Sequence, residues 1–494
     1  MERACPVLRW FPMPTRQIAT STLWQIASQV TMAALSILTV KFVYVGLSTE
    51  LVGNYNSAYG FLQLFGILAD FGLYAVGVRE MSRAQDRSRV LGALIVLRSG
   101  ILVLSLAAAL LLVWIVPTWR GTPLPMGVTI AALVPFFTLL AGVLRTIFQV
   151  TYRMHFVFVA EVTQRIITTG LIGLFIWMGT RNSQYLYDYY DFLFTGGIGA
   201  GVLFLLSLYY GNKIVPVHFA WDETLIRKLA REALPFGLAF LCMALYRQMD
   251  ATMIALLRPD FDVQNAYYGS VLRMVEMGYI IPTFLLNSVL PTLSERDANG
   301  TETRSLLGRT LLVLLMLGAI ASLFALLWPR ALVRLLTTEA YLSTATAPGS
   351  DTALRLMAAP LLLNGLIQYG YYVLLTRGRW RPLVGTLAAA ALLSFTLNML
   401  WIPARGFVGA AETAIAVHVF LVLVLLPSAL RAMPASIKGV DLIRIGAFSA
   451  LLAGTLLLVE PLLTDPVRTF IGLILAGPVL LLLAALTGLP KVVR

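Results

Sequence analysis

Fourteen apolar stretches follow one another along the chain and constrain its fold more than any other feature. Each is long enough to cross the hydrocarbon core of a bilayer as a helix, which needs about 20 residues. The chain is 59% hydrophobic and 12% charged, whereas soluble domains carry about 25% charged residues. We therefore predict an all-α polytopic membrane protein. The predicted spans lie near residues 22–46, 53–78, 90–117, 125–150, 157–180, 190–211, 234–257, 265–292, 306–329, 352–375, 383–402, 409–428, 445–460 and 469–488.

The basic residues of the loops predict the orientation of the chain. With a cytoplasmic N-terminus, 23 Lys and Arg residues lie on the cytoplasmic side and 7 on the outer side. Loops rich in Lys and Arg stay in the cytoplasm. The net charge of +13 thus reflects orientation and indicates no nucleic-acid partner. The first residues lack a short apolar core followed by a cleavage site, so we expect no cleaved signal peptide.

A weak internal repeat divides the chain. An offset of 212 residues places Tyr55 on Tyr267 and Ser82 on Ser294. Six spans precede residue 212, and this even number predicts a parallel repeat about an axis along the membrane normal, with a cavity between two six-helix lobes. The expected parts are a cytoplasmic tail (1–21), an N-terminal lobe (22–212), a cytoplasmic linker (213–233), a C-terminal lobe (234–430) and two C-terminal helices (431–494).

The loops leave no room for a soluble catalytic domain. The linker sequence WDETLIRKLARE predicts a short helix at the membrane surface, and we expect another in the outer loop near 330–351. The two cysteines, Cys5 and Cys242, form no disulfide or metal-binding pattern. We therefore expect no metal and no cofactor.

The two spans between Leu245 and Glu295 each carry an acid and a base three residues apart, on one helix face. In an antiparallel hairpin, the helix rise places Asp250 level with Arg273. The same rise places Arg247 level with Glu276. A charge at the bilayer centre costs about 2.5–3.5 kcal/mol on insertion scales. These four side chains are therefore expected to face each other, a cavity, or both.

Two segments of the chain resemble a known family. One is the tyrosine-containing turn and helix that end in Asp70, Phe71, Gly72 and Arg79. It resembles the second helix of Wzx-type O-antigen and exopolysaccharide flippases, of the multidrug/oligosaccharidyl-lipid/polysaccharide (MOP) superfamily. A second set of residues resembles the seventh and eighth helices of that family: Tyr246, Asp250, Tyr267, Arg273, Glu276, Pro282 and Pro291.

The resemblance implies a fold of fourteen helices in two lobes, and it also implies a function. Such a protein moves a polyprenyl-diphosphate-linked oligosaccharide from the cytoplasmic to the outer leaflet by alternating access, for cell-surface polysaccharide biosynthesis. It implies a multi-pass protein of the bacterial inner membrane. The lipid bilayer and the lipid-linked oligosaccharide are then its partners, together with a polysaccharide polymerase and assembly machinery.

A diphosphate headgroup calls for a basic cavity, because the arginine fork matches phosphate oxygens. The candidates for headgroup binding are Arg98, Arg165, Arg247 and Arg273, and those for charge pairing or gating are Asp250, Glu276 and Asp70. Arg98 has no obvious local partner and is the strongest single candidate. Side chains expected to suit sugar hydroxyls include Gln149, Asn364, Gln368 and Tyr369.

A purely structural interpretation competes with this one. The hairpin charges can neutralise each other, and Glu161 and Arg165 lie four residues apart, as in a local ion pair. His418 could couple protons, although a hydrogen-bonded polar residue is the stronger interpretation.

Two other functions stay open. A MATE-type multidrug or cation antiporter predicts an acidic deep cavity, but the first span carries Gln25 and Gln29 and no deep carboxylate. That span also lacks an arginine–aspartate pair, which disfavours the lipid II flippase branch. The alternative from another class is a membrane polysaccharide polymerase or glycosyltransferase. It needs acids or bases on a sizeable outer loop, and the outer loops here are short.

Overall fold

The computed structural model describes residues 15–70, 72–219, 221–298 and 302–489, which are almost entirely helical. The α-helices within these ranges are α1 (Thr15–Gly46), α2 (Thr49–Asp70), α3 (Leu73–Arg83), α4 (Arg87–Ile115), α5 (Leu124–Ala131), α6 (Leu133–Val150), α7 (Met154–Trp177), α8 (Leu186–Asn212), α9 (Glu223–Leu257), α10 (Phe261–Ala298), α11 (Arg304–Leu327), α12 (Pro329–Leu336), α13 (Ser350–Thr376), α14 (Trp380–Arg405), α15 (Phe407–Ala432), α16 (Gly439–Val459) and α17 (Pro466–Leu486). We call α1–α8 the N-terminal half and α9–α15 the C-terminal half.

Within the described ranges, thirteen helical segments are long and apolar enough to cross a membrane. Each coincides with one of the predicted spans, and α5 and α6 together form a single segment. The remaining predicted span contains α2, whose 22 residues include Asn54, Asn56 and Gln63. These amides lower its mean hydropathy. The predicted fold class, an all-α polytopic membrane protein, is confirmed.

The second predicted span is broken. α2 ends at Asp70 and α3 begins at Leu73. Gly72 between them has φ +72°, a left-handed conformation that glycine adopts without steric cost. The prediction of one continuous helix over 53–78 was therefore wrong, because a helix cannot continue through this residue.

The linker also differs from its prediction. It holds no separate surface helix, since Glu223 begins α9, which continues to Leu257. Asp222 caps this helix by accepting a hydrogen bond from the Leu225 amide at 3.1 Å. Three ion pairs hold the linker against α3 and α4: Arg89–Asp222, Lys228–Glu80 and Arg79–Glu232.

The outer loop near 330–351 contains α12, as predicted. This short helix connects the C-terminal pair α16 and α17 to the rest of the bundle. The indole of Trp328 donates to the carbonyl of Leu456 at 2.9 Å, and Arg334 donates to the carbonyl of Thr464 at 2.7 Å. The C-terminal helices therefore pack beside α11 and α12.

The two halves meet where α2 crosses α10, and these helices begin 212 residues apart, at Thr49 and Phe261. That separation equals the offset of the internal repeat.

The contact between α2 and α10 is close because it is built from small and amide side chains. A Cβ atom on Gly53 would lie 1.4 Å from the carbonyl oxygen of Asp262. Asn56 Nδ2 donates to the Asn265 carbonyl at 3.0 Å. Asn265 Nδ2 donates to Ser57 Oγ at 2.8 Å. We call these five residues the α2–α10 seal.

Replacing Gly53 by alanine is expected to lower the melting temperature of the purified protein. The added methyl overlaps the Asp262 backbone, and overpacking typically costs about 1–3 kcal/mol. Gly100→Ala is the matched control, because nothing lies within 4 Å of a Cβ at Gly100 and alanine favours the helix by about 0.5–1 kcal/mol. Equal melting temperatures of the two variants would contradict the proposed close approach.

A second prediction concerns the linker. Hydrogen bonds from Thr224, the Leu225 amide and Arg89 lower the pKa of Asp222 to about 2. The unfolded chain has an aspartate pKa of about 3.9, so the stabilisation is present above about pH 4 and is lost as the pH falls toward 2. We expect pepsin to cleave the native linker near pH 2 but not near pH 4.5.

The variant Asp222→Asn loses the ion pair with Arg89 and is expected to be cleaved at both pH values. Glu223→Gln removes only the exposed pair with Arg227 and should behave as the native protein, because such pairs contribute little. Resistance of Asp222→Asn at the higher pH would rule out the ion pair as the main restraint on the linker.

Candidate functional site

A cavity of about 1340 Å³ lies between α10 and the helices α1, α2, α6, α7 and α8. It follows α1 from Gln25 to Tyr44, about 28 Å at the helical rise. The hydrocarbon core of a bilayer is about 30 Å thick. At the Tyr44 end, the tyrosine hydroxyl accepts a hydrogen bond from Asn56 of the seal at 2.8 Å. The cavity therefore extends from the seal along most of the depth of a bilayer.

Among the described residues, three charged side chains line this cavity: Arg165, Arg273 and Glu276. Arg273 Nη1 lies 3.3 Å from Glu276 Oε2 in the same helix. Arg165 has no ion pair or hydrogen bond within the described ranges, and its buried Nε has no partner. Near the middle of α7, Arg165 is thus a cation that the described part of the chain does not neutralise.

The other polar groups of the lining are neutral. Gln29 and Gln164 form no side-chain hydrogen bond with the described residues, so their amides are available to a ligand. The rings of Tyr55 and Tyr59 lie 4.8 Å apart near the seal. The remaining neutral polar lining residues are Gln25, Ser36, Thr39, Tyr44, Asn56, Thr138, Gln149, Tyr152, Thr168, Asn287 and Ser288.

One face of α10 gives the cavity an apolar wall. Its side chains are Met277, Ile280, Ile281 and Phe284. The last three are 41%, 50% and 45% exposed, although they lie at membrane depth. The wall can therefore contact apolar groups of a ligand or of lipid.

Two of the four predicted headgroup arginines, Arg165 and Arg273, line the cavity, but Arg98 does not. Arg98 is buried at 4% exposure, and its Nη2 lies 2.5 Å from Asp70 Oδ1. Arg98 has no partner within its own helix, as its spacing indicated, but it has one at the end of another helix, α2, which packs against α4. Spacing within a single helix cannot show such a contact.

The hairpin charges do not form the pairs Asp250–Arg273 and Arg247–Glu276, which were one of the arrangements that the sequence left open. Asp250 accepts hydrogen bonds from Tyr268 at 2.8 Å and from Asn398 at 2.7 Å, both neutral donors. Arg247 lies over the ring of Tyr279, 4.7 Å from its centroid. Both α9 charges therefore contact tyrosines of α10, whereas Arg273 and Glu276 of α10 line the cavity.

The helical spacing suggested an ion pair between Glu161 and Arg165, but the structure does not form it. Glu161 binds Arg145 at 2.7 Å and accepts a hydrogen bond from Ser28 at 2.6 Å. These partners come from neighbouring helices and leave Arg165 free for the cavity.

His418 is buried and lies within hydrogen-bonding distance of the Tyr279 hydroxyl, at 3.1 Å, and of the Ala414 carbonyl, at 2.7 Å. It therefore has the contacts of a hydrogen-bonded polar residue. Within the described ranges, no group of three or more His, Cys, Asp or Glu side chains could hold a metal ion.

Of the side chains expected to suit sugars, Gln149 lines the cavity. Gln368 instead binds the Tyr279 carbonyl and Thr283, and Asn364 and Tyr369 are outside the lining. Sequence reasoning missed the polar face of α1. Its lining residues Gln25, Gln29, Met32, Ser36, Thr39 and Val43 recur every three or four positions, and this helical spacing was the available signal.

This architecture of apolar helices around a cavity between two halves is that of MOP superfamily transporters. The structure is similar to "Lipid II flippase MurJ, inward closed conformation" (TM-score 0.74, 14% identity, covering 96% of this chain and 100% of that one). It is also similar to an inward-facing multidrug resistance MATE family transporter (TM-score 0.63, 14% identity, 81% and 95%). A third similar structure is a MOP superfamily transporter from Pyrococcus furiosus (TM-score 0.60, 15% identity, 88% and 96%). These likenesses define the fold.

Residues 18–296, more than half of the chain, match the family described as "Polysaccharide biosynthesis protein". The chain belongs to this family. No curated protein matches the sequence.

Cysteine labelling tests the cavity directly. In a protein without its native cysteines, a cysteine at Gln29 or Gln164 is expected to react with a hydrophilic thiol reagent, because both positions line the cavity. A cysteine at Ser394, which is 1% exposed, is the control and should not react. Equal labelling of all three positions would contradict the cavity described above.

Proposed function

We propose that the protein is a flippase. It moves a polyprenyl-diphosphate-linked oligosaccharide from the cytoplasmic to the outer leaflet by alternating access, for cell-surface polysaccharide biosynthesis. The observation that carries the proposal is Arg165, which no described residue neutralises, in a cavity whose other described charges, Arg273 and Glu276, lie beside each other. Membership of the polysaccharide biosynthesis family supports it. MurJ, which has the same fold, is by its name a flippase of lipid II.

In this proposal the two arginines hold the diphosphate. Arg165 belongs to α7 of the N-terminal half and Arg273 to α10 of the C-terminal half. Guanidinium forks bind phosphate oxygens through two parallel hydrogen bonds. A diphosphate bound to both arginines links the halves at mid-depth and competes with Glu276 for Arg273.

In this proposal the apolar wall of α10 contacts the polyprenyl tail of the substrate. A polyprenyl tail cannot enter a polar cavity without losing its apolar surroundings. The exposed side chains of Ile280, Ile281 and Phe284 allow the tail to remain in the bilayer beside α10. The headgroup then crosses alone, so the protein makes and breaks no covalent bond.

The α2–α10 seal is the part that has to open. Its polar contacts are hydrogen bonds between neutral groups, and such interhelical bonds in membranes average about 0.6 kcal/mol. A negative-inside potential drives an anion outward by about 2.3 kcal/mol per charge per 100 mV. Release toward the outer leaflet therefore follows the direction of the electrical force.

The two alternatives fit the cavity less well. A MATE-type cation antiporter needs an acid for its cation, and Glu276, the acid in the lining, lies beside Arg273. A polymerase or glycosyltransferase needs reactive groups at a surface where donor and acceptor sugars meet. The charges of the lining lie instead at mid-depth, on α7 and α10.

Location and partners follow from the same proposal. The loop charges predict a cytoplasmic N-terminus, and the resemblance to polysaccharide flippases implies a bacterial inner membrane. Beside the bilayer and the lipid-linked oligosaccharide, a polysaccharide polymerase and assembly machinery are the partners that would use the product.

Translocation in proteoliposomes tests the proposal. A polyprenyl-diphosphate-linked oligosaccharide is placed in one leaflet, and a membrane-impermeant probe reports its arrival in the other. We expect Arg165→Gln and Arg273→Gln each to lower the initial rate about tenfold or more, since a hydrogen bond to a charged group contributes about 1.5–3 kcal/mol.

Arg355→Gln is the control, because Arg355 is exposed and is outside the lining. Its rate should equal that of the native protein. If both cavity variants moved the lipid at the native rate, the two arginines would not be part of the headgroup-binding site. Export of organic cations without any movement of the lipid would favour the antiporter.

A further inference from the structure

We infer that the glycan of the substrate is uncharged, so that the diphosphate is the only strongly anionic part that the cavity compensates. This inference rests on the proposed function and narrows its substrate class. It is carried by the number and the pairing of the charges at membrane depth.

The cavity has few bases to offer. Of the described lining residues, Arg165 and Arg273 are basic and Glu276 is acidic, so the formal charge of the described lining is +1. A diphosphate diester brings two negative charges. Both arginines are then required for the phosphates, and no other base of the described lining remains for a uronic acid or a similar acidic sugar.

Neighbouring bases do not supply the missing charge. Arg98 is neutralised by Asp70, and Arg145 is neutralised by Glu161. Arg247 lies against the ring of Tyr279 and is outside the lining. Bringing the first two into the cavity would leave a carboxylate at membrane depth without its partner, which is unfavourable.

The rest of the lining suits neutral sugars. Amide side chains such as Gln29 and Gln164 both donate and accept hydrogen bonds, as sugar hydroxyls require. Tyr55 and Tyr59 present rings with an apolar body and a polar hydroxyl. A carboxylate placed among these groups could accept hydrogen bonds, but it would have no cation.

Two matched substrates test the inference. One is a polyprenyl-diphosphate-linked disaccharide ending in glucose, and the other ends in glucuronic acid. A third, the methyl ester of the glucuronate, restores neutrality while keeping the added carboxyl atoms. Rates are measured in proteoliposomes without a membrane potential, so that the extra charge does not change the electrical force. We expect the glucuronate to move at least about tenfold more slowly than the glucoside, and the ester to move nearly as fast.

A variant gives an independent readout. Gln164→Arg adds a base beside Arg165 and is expected to raise the ratio of the glucuronate rate to the glucoside rate several-fold. Gln164→Met, of similar length and without charge, should leave the ratio unchanged.

Equal rates for the native protein with glucoside and glucuronate would overturn the inference and leave the flippase proposal intact. An ester that moves as slowly as the acid would also overturn the inference, because the cavity would then discriminate by the size of the added group and not by its charge. Failure to move any of the three lipids would overturn the proposed function itself.

Discussion

The cost of a charge in hydrocarbon is the constraint on which this structure depends. A charged side chain at membrane depth needs an opposite charge, a hydrogen-bonding partner or water. In the N-terminal half, Asp70 neutralises Arg98, and a glutamate from a neighbouring helix neutralises Arg145. Asp250 is satisfied by neutral donors. Arg165 gives the cavity its positive charge, because no described residue neutralises it and only solvent or a ligand can do so.

The seal and the cavity are two results of one packing arrangement. Where α2 and α10 carry glycine and small amides, their backbones approach until a Cβ at Gly53 would overlap Asp262. Further along, larger side chains such as Tyr59 and Phe284 line the space that α10 leaves against the N-terminal half. The seal thus lies at one end of the cavity, and the cavity extends from it along α10. Because the polar contacts of the seal are neutral hydrogen bonds, opening it strands no charge in the membrane.

The fold alone does not choose among functions. At 14% identity, a flippase and a multidrug transporter both share it, and one fold commonly hosts many functions. The lining distinguishes between them, since an antiporter for cations and a flippase for a diphosphate need opposite charges. Here the acid Glu276 lies beside a base, and Arg165 has no ion-pair partner among the described residues. This balance is why we propose an anionic headgroup with a neutral glycan.

The sequence by itself determined the membrane class and the positions of thirteen of the fourteen predicted spans, because span length and hydropathy are local properties. It also singled out Arg165 and Arg273 as embedded bases. Only the tertiary structure decided which charges are neutralised, because the partners of Arg98 and Arg145 come from neighbouring helices. Side-chain spacing within one helix gives its faces, but it does not give the helix that each face meets. The choice of Arg98 over Arg165 as the free arginine failed for that reason.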